Sequence, residues 1–182
     1  MRISFLASFF LLGLGVCSGQ HTGLKLQTGL SLTYTAKGDE TIFSFQRPGA
    51  KATQVAVARD ETVAKDSAPD AVKVIAEVPN SILVLTDSYP SIQGGLSYCQ
   101  AGEESFLRVF LLSGTDPVET YHTKLESCRN NIELAFPGLN WSAETRTIVI
   151  NWISAPGAAG KPKTMTVTIG DDGKATETEA GP

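Results

Sequence analysis

The chain has few of the residues that carry covalent and metal chemistry. It holds two histidines, His21 and His122, and three cysteines, Cys17, Cys99 and Cys128. No HExxH pair and no CxxC pair occurs, so the zinc centres most easily seen in a sequence are excluded. There is no GxSxG elbow and no glycine-rich phosphate loop, the marks of α/β-hydrolases and of nucleotide binders. Lysine and arginine are scattered and the formal net charge is -4, which argues against a broad nucleic-acid footprint. After residue 16 no run is long and apolar enough for a membrane helix.

What is present begins with an export signal. Residues 1–19 read as a signal peptide: Met1-Arg2 supplies a positive end, Ile3 to Val16 is apolar, and Cys17, Ser18 and Gly19 are small. The expected location is periplasmic or secreted, with no transmembrane span. Cys17 offers a second reading, as the lipid-anchored cysteine of a bacterial lipoprotein. Val16 fits that poorly, because Gly, Ala or Ser is usual there, so the soluble reading is preferred. With Cys17 removed, Cys99 and Cys128 remain, and an even count in an exported chain predicts a disulfide between them.

The remaining residues, 20–182, read as a single β-rich domain with a mobile acidic tail from about 175 to 182. Leucines alternate with polar residues from Leu24 to Tyr34, a period of two that predicts a strand with one wet face. Short strand patterns separated by turn signals continue to Asp171-Asp172-Gly173, a tight-turn composition. Thr41 to Gln46, Ser81 to Thr86, Glu119 to Cys128 and Thr147 to Ile153 are expected strands. A further one, Ile132 to Phe136, is ended by Pro137-Gly138, and Leu96 to Gln100 is paired with Phe106 to Leu112 as a hairpin. The fold class expected is all-β, mainly antiparallel, a β-sandwich or partly open barrel. Residues 60–78 leave room for a short helix, although Ala71 to Val78 alternates and is preferred as a strand.

The run Phe106 to Leu112 is apolar at too many consecutive positions to have a wet face, so it belongs at the centre of a sheet. Its one charge, Arg108, reads either as the floor of an anion site or, preferably, as a buried bridge to Glu104, Glu126 or Glu133. Trp152 shares a face with Ile148 and Ile150 and reads as core. Trp141, between Asn140 and Ser142, reads as exposed and suited to a sugar or protein contact. The acidic pairs Glu103-Glu104 and Asp171-Asp172 sit in turn-like settings and read as solvated. His21 is the one weak candidate for a metal, if processing placed it at or near the new N-terminus; no cofactor is expected. Tyr98-Cys99 followed by Gly102 looks like a short stretch of the small periplasmic lysozyme inhibitors. That likeness covers a handful of residues and puts Tyr98 beside Arg108 and Trp141 as a candidate binding residue.

These readings favour an exported, non-catalytic binding module, an inhibitor or immunity-type protein whose partner is an exported enzyme. Two alternatives are an accessory module that binds carbohydrate or another envelope polysaccharide, and a hydrolase using a carboxylate pair, whose spacing only a fold can set.

Overall fold

A computed structural model describes residues 23–79, 81–92, 99, 102–114 and 116–180. The chain lays down three antiparallel sheets of four strands, one after another. The first contains β1 (Leu24–Lys25), β2 (Ser31–Lys37), β3 (Glu40–Gln46) and β4 (Thr53–Ala58), in that order across the sheet. The second contains β5 (Ala71–Val78), β6 (Ile82–Pro90), β7 (Glu103–Leu111) and β8 (Val118–Ser127), again in chain order. The third contains β9 (Glu133–Ser142), β10 (Thr147–Ser154), β11 (Lys163–Ile169) and β12 (Ala175–Glu179), in simple up-and-down order.

The second sheet is the middle layer. On β6, Leu83 and Leu85 point into a core shared with Leu32, Phe43 and Phe45 of the first sheet. Ile82 and Val84 point the other way, into a core shared with Ile148, Ile150, Trp152 and Val167 of the third. β7 divides in the same manner, with Phe110 in the first core and Leu107 and Val109 in the second. Period-two alternation sends neighbours to opposite faces, so a strand packed on both sides must be apolar at every position. The apolar run from Phe106 to Leu112, interrupted only by the buried Arg108, has this cause.

Several expectations are corrected. No helix occurs among the described residues: 71–78 is β5, and 60–70 is irregular chain with one bridge, Val63 to Ser91. Alanine and glutamate in β5 suit a helix, but pairing along β6 outweighs that weak propensity. Pro137-Gly138 does not end its strand, because β9 carries on to Ser142. The tail is not free either. Residues 175–179 form β12, paired with β11 from Ile169↔Ala175 to Met165↔Glu179 and tied by Lys163 to Glu179 at 2.5 Å. The hairpin partner expected at 96–100 falls outside the described residues except for Cys99; β7 pairs with β6 and β8.

Cys99 is bonded to Cys128 across 29 residues. Gly102 packs against that bridge: a Cβ there would lie 2.6 Å from the Cys128 Cβ and 2.9 Å from its sulfur. The close approach requires a residue with no side chain.

Candidate functional site

Arg108 projects from β7 toward the first sheet and is fully buried. Its Nε donates to Asp87 Oδ2 on β6 at 2.7 Å, and its Nη1 donates to Glu119 Oε1 on β8 at 2.7 Å. The guanidinium carbon also lies 5.1 Å from the Phe106 ring centre. Tyr89 donates to the same Asp87 oxygen at 2.5 Å, so its own oxygen accepts from Thr41, 2.9 Å away. Burial raises the Asp87 carboxyl above its usual range, with Arg108 pulling against it. Burial likewise raises the Tyr89 phenol, and the Asp87 charge beside it adds to the effect. Burial would lower the Arg108 guanidinium, but Asp87, Tyr89 and Glu119 outweigh it and hold the group protonated.

A buried bridge was expected for Arg108, and it is there with other partners: Asp87 and Glu119 stand where Glu104, Glu126 or Glu133 was named. Two carboxylates on one guanidinium leave no positive field for an incoming anion, so this geometry does not form an anion-site floor. At the rim, His122 Nδ1 lies 3.6 Å from Glu119 Oε2, with its side chain 58% exposed. The Glu119 carboxylate beside it raises the imidazole above its usual value, against a smaller opposing effect of burial.

A second polar cluster surrounds Glu104, which the sequence placed in a solvated turn and the fold buries completely. Glu104 accepts from Ser91 at 2.7 Å, Lys124 at 3.0 Å and the Arg129 amide at 3.3 Å. The Thr62 hydroxyl lies 2.6 Å from both Asp60 and Glu104. With one proton to give, it donates to one carboxylate while accepting from Lys124 at 2.5 Å. Burial alone would raise Glu104, but hydrogen bonds from Ser127, Thr62, Ser91 and Lys124 hold it below the usual carboxylate range. These groups satisfy one another and pin the 60–63 loop to β7 and β8. Asp171 and Asp172 are solvated as expected.

Trp141 is not exposed as expected. It sits opposite Ile148, half-buried, and packs inward on the core between the second and third sheets. Trp152 is core, as expected, and its indole N–H donates to the Leu125 carbonyl at 2.9 Å. The outer face of the third sheet carries Thr147, Thr164, Thr166, Thr168, Thr176 and Thr178 at its paired positions, without an aromatic ring for a sugar to stack on. Tyr98, His21 and Cys17 lie outside the described residues.

Among the described residues, the fully exposed aromatic side chain is Phe136, with a relative exposure of 102%. It stands on a bulge of β9, an edge strand of the third sheet. Ile150 pairs with Leu139 and Trp152 with Leu134, so β9 advances five residues while β10 advances two. The surplus chain, with a cis Phe136-Pro137 bond, is pushed out of the sheet. Gly138 lets it close: a Cβ there would lie 2.7 Å from the Leu134 Cβ and 2.8 Å from the Ala135 oxygen. Glu126 of β8 is half-buried, next to Ser127, which bridges Ile132 just before β9. Burial raises the Glu126 carboxyl, and the charges of Glu103 and Glu133 raise it further. Sequence reasoning missed Phe136 because an apolar residue in a strand pattern is read as core. The Pro-Gly pair directly after it was the available sign that the strand leaves its register there.

No family model matches this chain, and no curated protein or solved structure matches it.

Proposed function

We propose that the protein is an exported, non-catalytic binding module of the inhibitor or immunity type, which seats Phe136 in a pocket of an exported enzyme. The observation that carries this reading is Phe136 itself, a wholly solvated aromatic ring on a bulge closed by Gly138. Exposing a large apolar ring forgoes roughly 2 kcal/mol of burial in the free protein, and a ring carried on an ordered edge strand needs little backbone ordering to bind. Interfaces concentrate their energy in a few such anchors. The apolar leader and the Cys99–Cys128 bond support export, since disulfides persist mainly in oxidising compartments.

The test measures residual activity of exported hydrolases, from the same cell and from competing cells, with increasing amounts of the pure protein. Wild type lowers the activity of its target, and Phe136→Ala weakens that effect by about 30-fold or more, the range of a binding hot spot. Matching inhibition curves for wild type and Phe136→Ala, with both folded, would overturn the reading.

A further inference from the structure

We infer that a cleft at the end of the first sheet binds a small branched-chain carboxylic acid as its anion. The cleft has a volume of about 110 Å³, and Leu30, Phe45 and Leu112, all buried in the first core, reach its wall. Arg47 and Lys51 line it as well, and no carboxylate does. The local sequence brings the two cations there. Arg47-Pro48-Gly49-Ala50 is a tight turn between β3 and β4, closed by the Ala50 amide donating to the Arg47 carbonyl at 3.1 Å, with Gly49 at a φ of 72°. Proline at the second place and a left-handed glycine at the third are the marks of a type II turn. Phe45 pairs with Thr53 across β3 and β4, so the same register carried two residues further sets Arg47 against Lys51, on the face of Phe45.

Like charges set opposite each other on neighbouring strands repel. Elsewhere the chain neutralises its cations: Arg108 takes Asp87 and Glu119, and Lys124 takes Asp60 and Glu104. Among the described residues, neither Arg47 nor Lys51 has a carboxylate partner. The Arg47 guanidinium donates instead to a backbone oxygen, that of Leu112 at 3.0 Å, which holds it at the cleft. A neighbouring hollow that shares Arg47 adds Lys25 and again no carboxylate. In a protein of net charge -4, this end of the first sheet is locally positive. A bound anion relieves the repulsion between the two cations, while the apolar wall takes the rest of the ligand, the usual division of labour in a small-molecule site. Volume sets the size of that ligand. An apolar cavity of about 150 Å³ holds a benzene ring, so this smaller one has room for a branched group of about four carbons. Long-chain fatty acids are too large for it.

The experiment titrates the pure, isotope-labelled protein with 3-methylbutanoate at neutral pH and follows the amide resonances of Leu112 and Gly114. The expected result is a saturable shift with a dissociation constant of about 1 mM, as suits a ligand of so few atoms. Two probes divide the ligand into its parts. The alcohol 3-methylbutan-1-ol keeps the branched group without the charge, and acetate keeps the charge without the branched group. Each should bind about 10-fold or more weakly than 3-methylbutanoate. The double variant Arg47→Gln, Lys51→Gln should weaken 3-methylbutanoate binding by about 10-fold or more. Phe136→Ala should leave it unchanged, which keeps this site apart from the partner contact proposed above. No saturable shift, equal binding of the alcohol or of acetate, or undiminished binding by the folded double variant would overturn the inference. An N-acetylated peptide ending in leucine that bound far more tightly than the free acid would overturn it in favour of a protein C-terminus.

Discussion

Arg108 contributes to stability through the two carboxylates it neutralises more than through its own contacts. Removing it would leave Asp87, which is fully buried, without a cation, and Glu119, which is mostly buried, with only the half-exposed His122 beside it. Breaking a buried pair from one side typically costs about 3–5 kcal/mol. Arg108→Ala should therefore lower the urea midpoint by a large fraction of total stability, and an unchanged midpoint would show the network to be incidental. His122 gives the same cluster a pH dependence. Glu119 raises its pKa above the unfolded value of 6.5, despite the opposing Arg108 charge, while Asp87 adds to the increase. A raised cationic group contributes its stability fully below the unfolded pKa and loses it as pH rises through the folded pKa. The melting temperature should thus decline from about pH 6 to pH 8, and His122→Gln should flatten that difference. If the wild type and His122→Gln curves run parallel, the imidazole is not coupled to Glu119. That Arg108 would be buried was legible, because it is the one charge in an apolar run. Its partners were not, because Asp87 and Glu119 reach it only through the registers of β6 and β8 and the bulge that shifts β8 beside Phe110.

β9 is the element where local signals and the fold part company. Proline and glycine end strands because one lacks a donor and the other resists ordering. Here both are absorbed by a bulge, and the strand resumes at Leu139 opposite Ile150. Bulges of this kind also protect an edge strand from pairing with foreign chains. Gly138→Ala tests whether the bulge shape matters. The added methyl would meet the Leu134 Cβ at 2.7 Å and the Ala135 oxygen at 2.8 Å, and neither is the end of a flexible side chain. The expected cost is about 1–3 kcal/mol, as for other overpacked sites, together with weaker partner binding although Phe136 itself is untouched. Unchanged stability and binding would show that the bulge accommodates a side chain and that its shape is not what presents the ring. β12 was illegible for a different reason. Its sequence, ATETE, has no apolar face, and its order comes from the ladder with β11, from Lys163 and from the Tyr121 hydroxyl, which donates to Glu177 at 2.7 Å.

At the scale of the whole molecule, the middle sheet makes two cores depend on one set of strands. The all-β class and the central place of β7 were legible, since both follow from alternation and its failure. The third layer was not, because which sheets cover the two faces of a doubly apolar strand is not written in its periodicity. The arrangement has a thermodynamic consequence. Leu85 faces the first sheet and its neighbour Val84 faces the third, so losing either core leaves β6 with one face in water. Leu85→Ala removes volume from the first core only, at a cost of about 2–5 kcal/mol. Trp141 and Trp152 both report on the other core, against the third sheet. If the layers unfold together, the tryptophan fluorescence of Leu85→Ala shifts its midpoint by the same amount as its far-ultraviolet circular dichroism, in one coincident transition. If they unfold separately, the first sheet melts early by circular dichroism while the fluorescence midpoint stays at the wild-type value. Coincidence is the expected outcome, because β6 and β7 cannot keep one apolar face packed while the other is stripped without losing the burial that orders them.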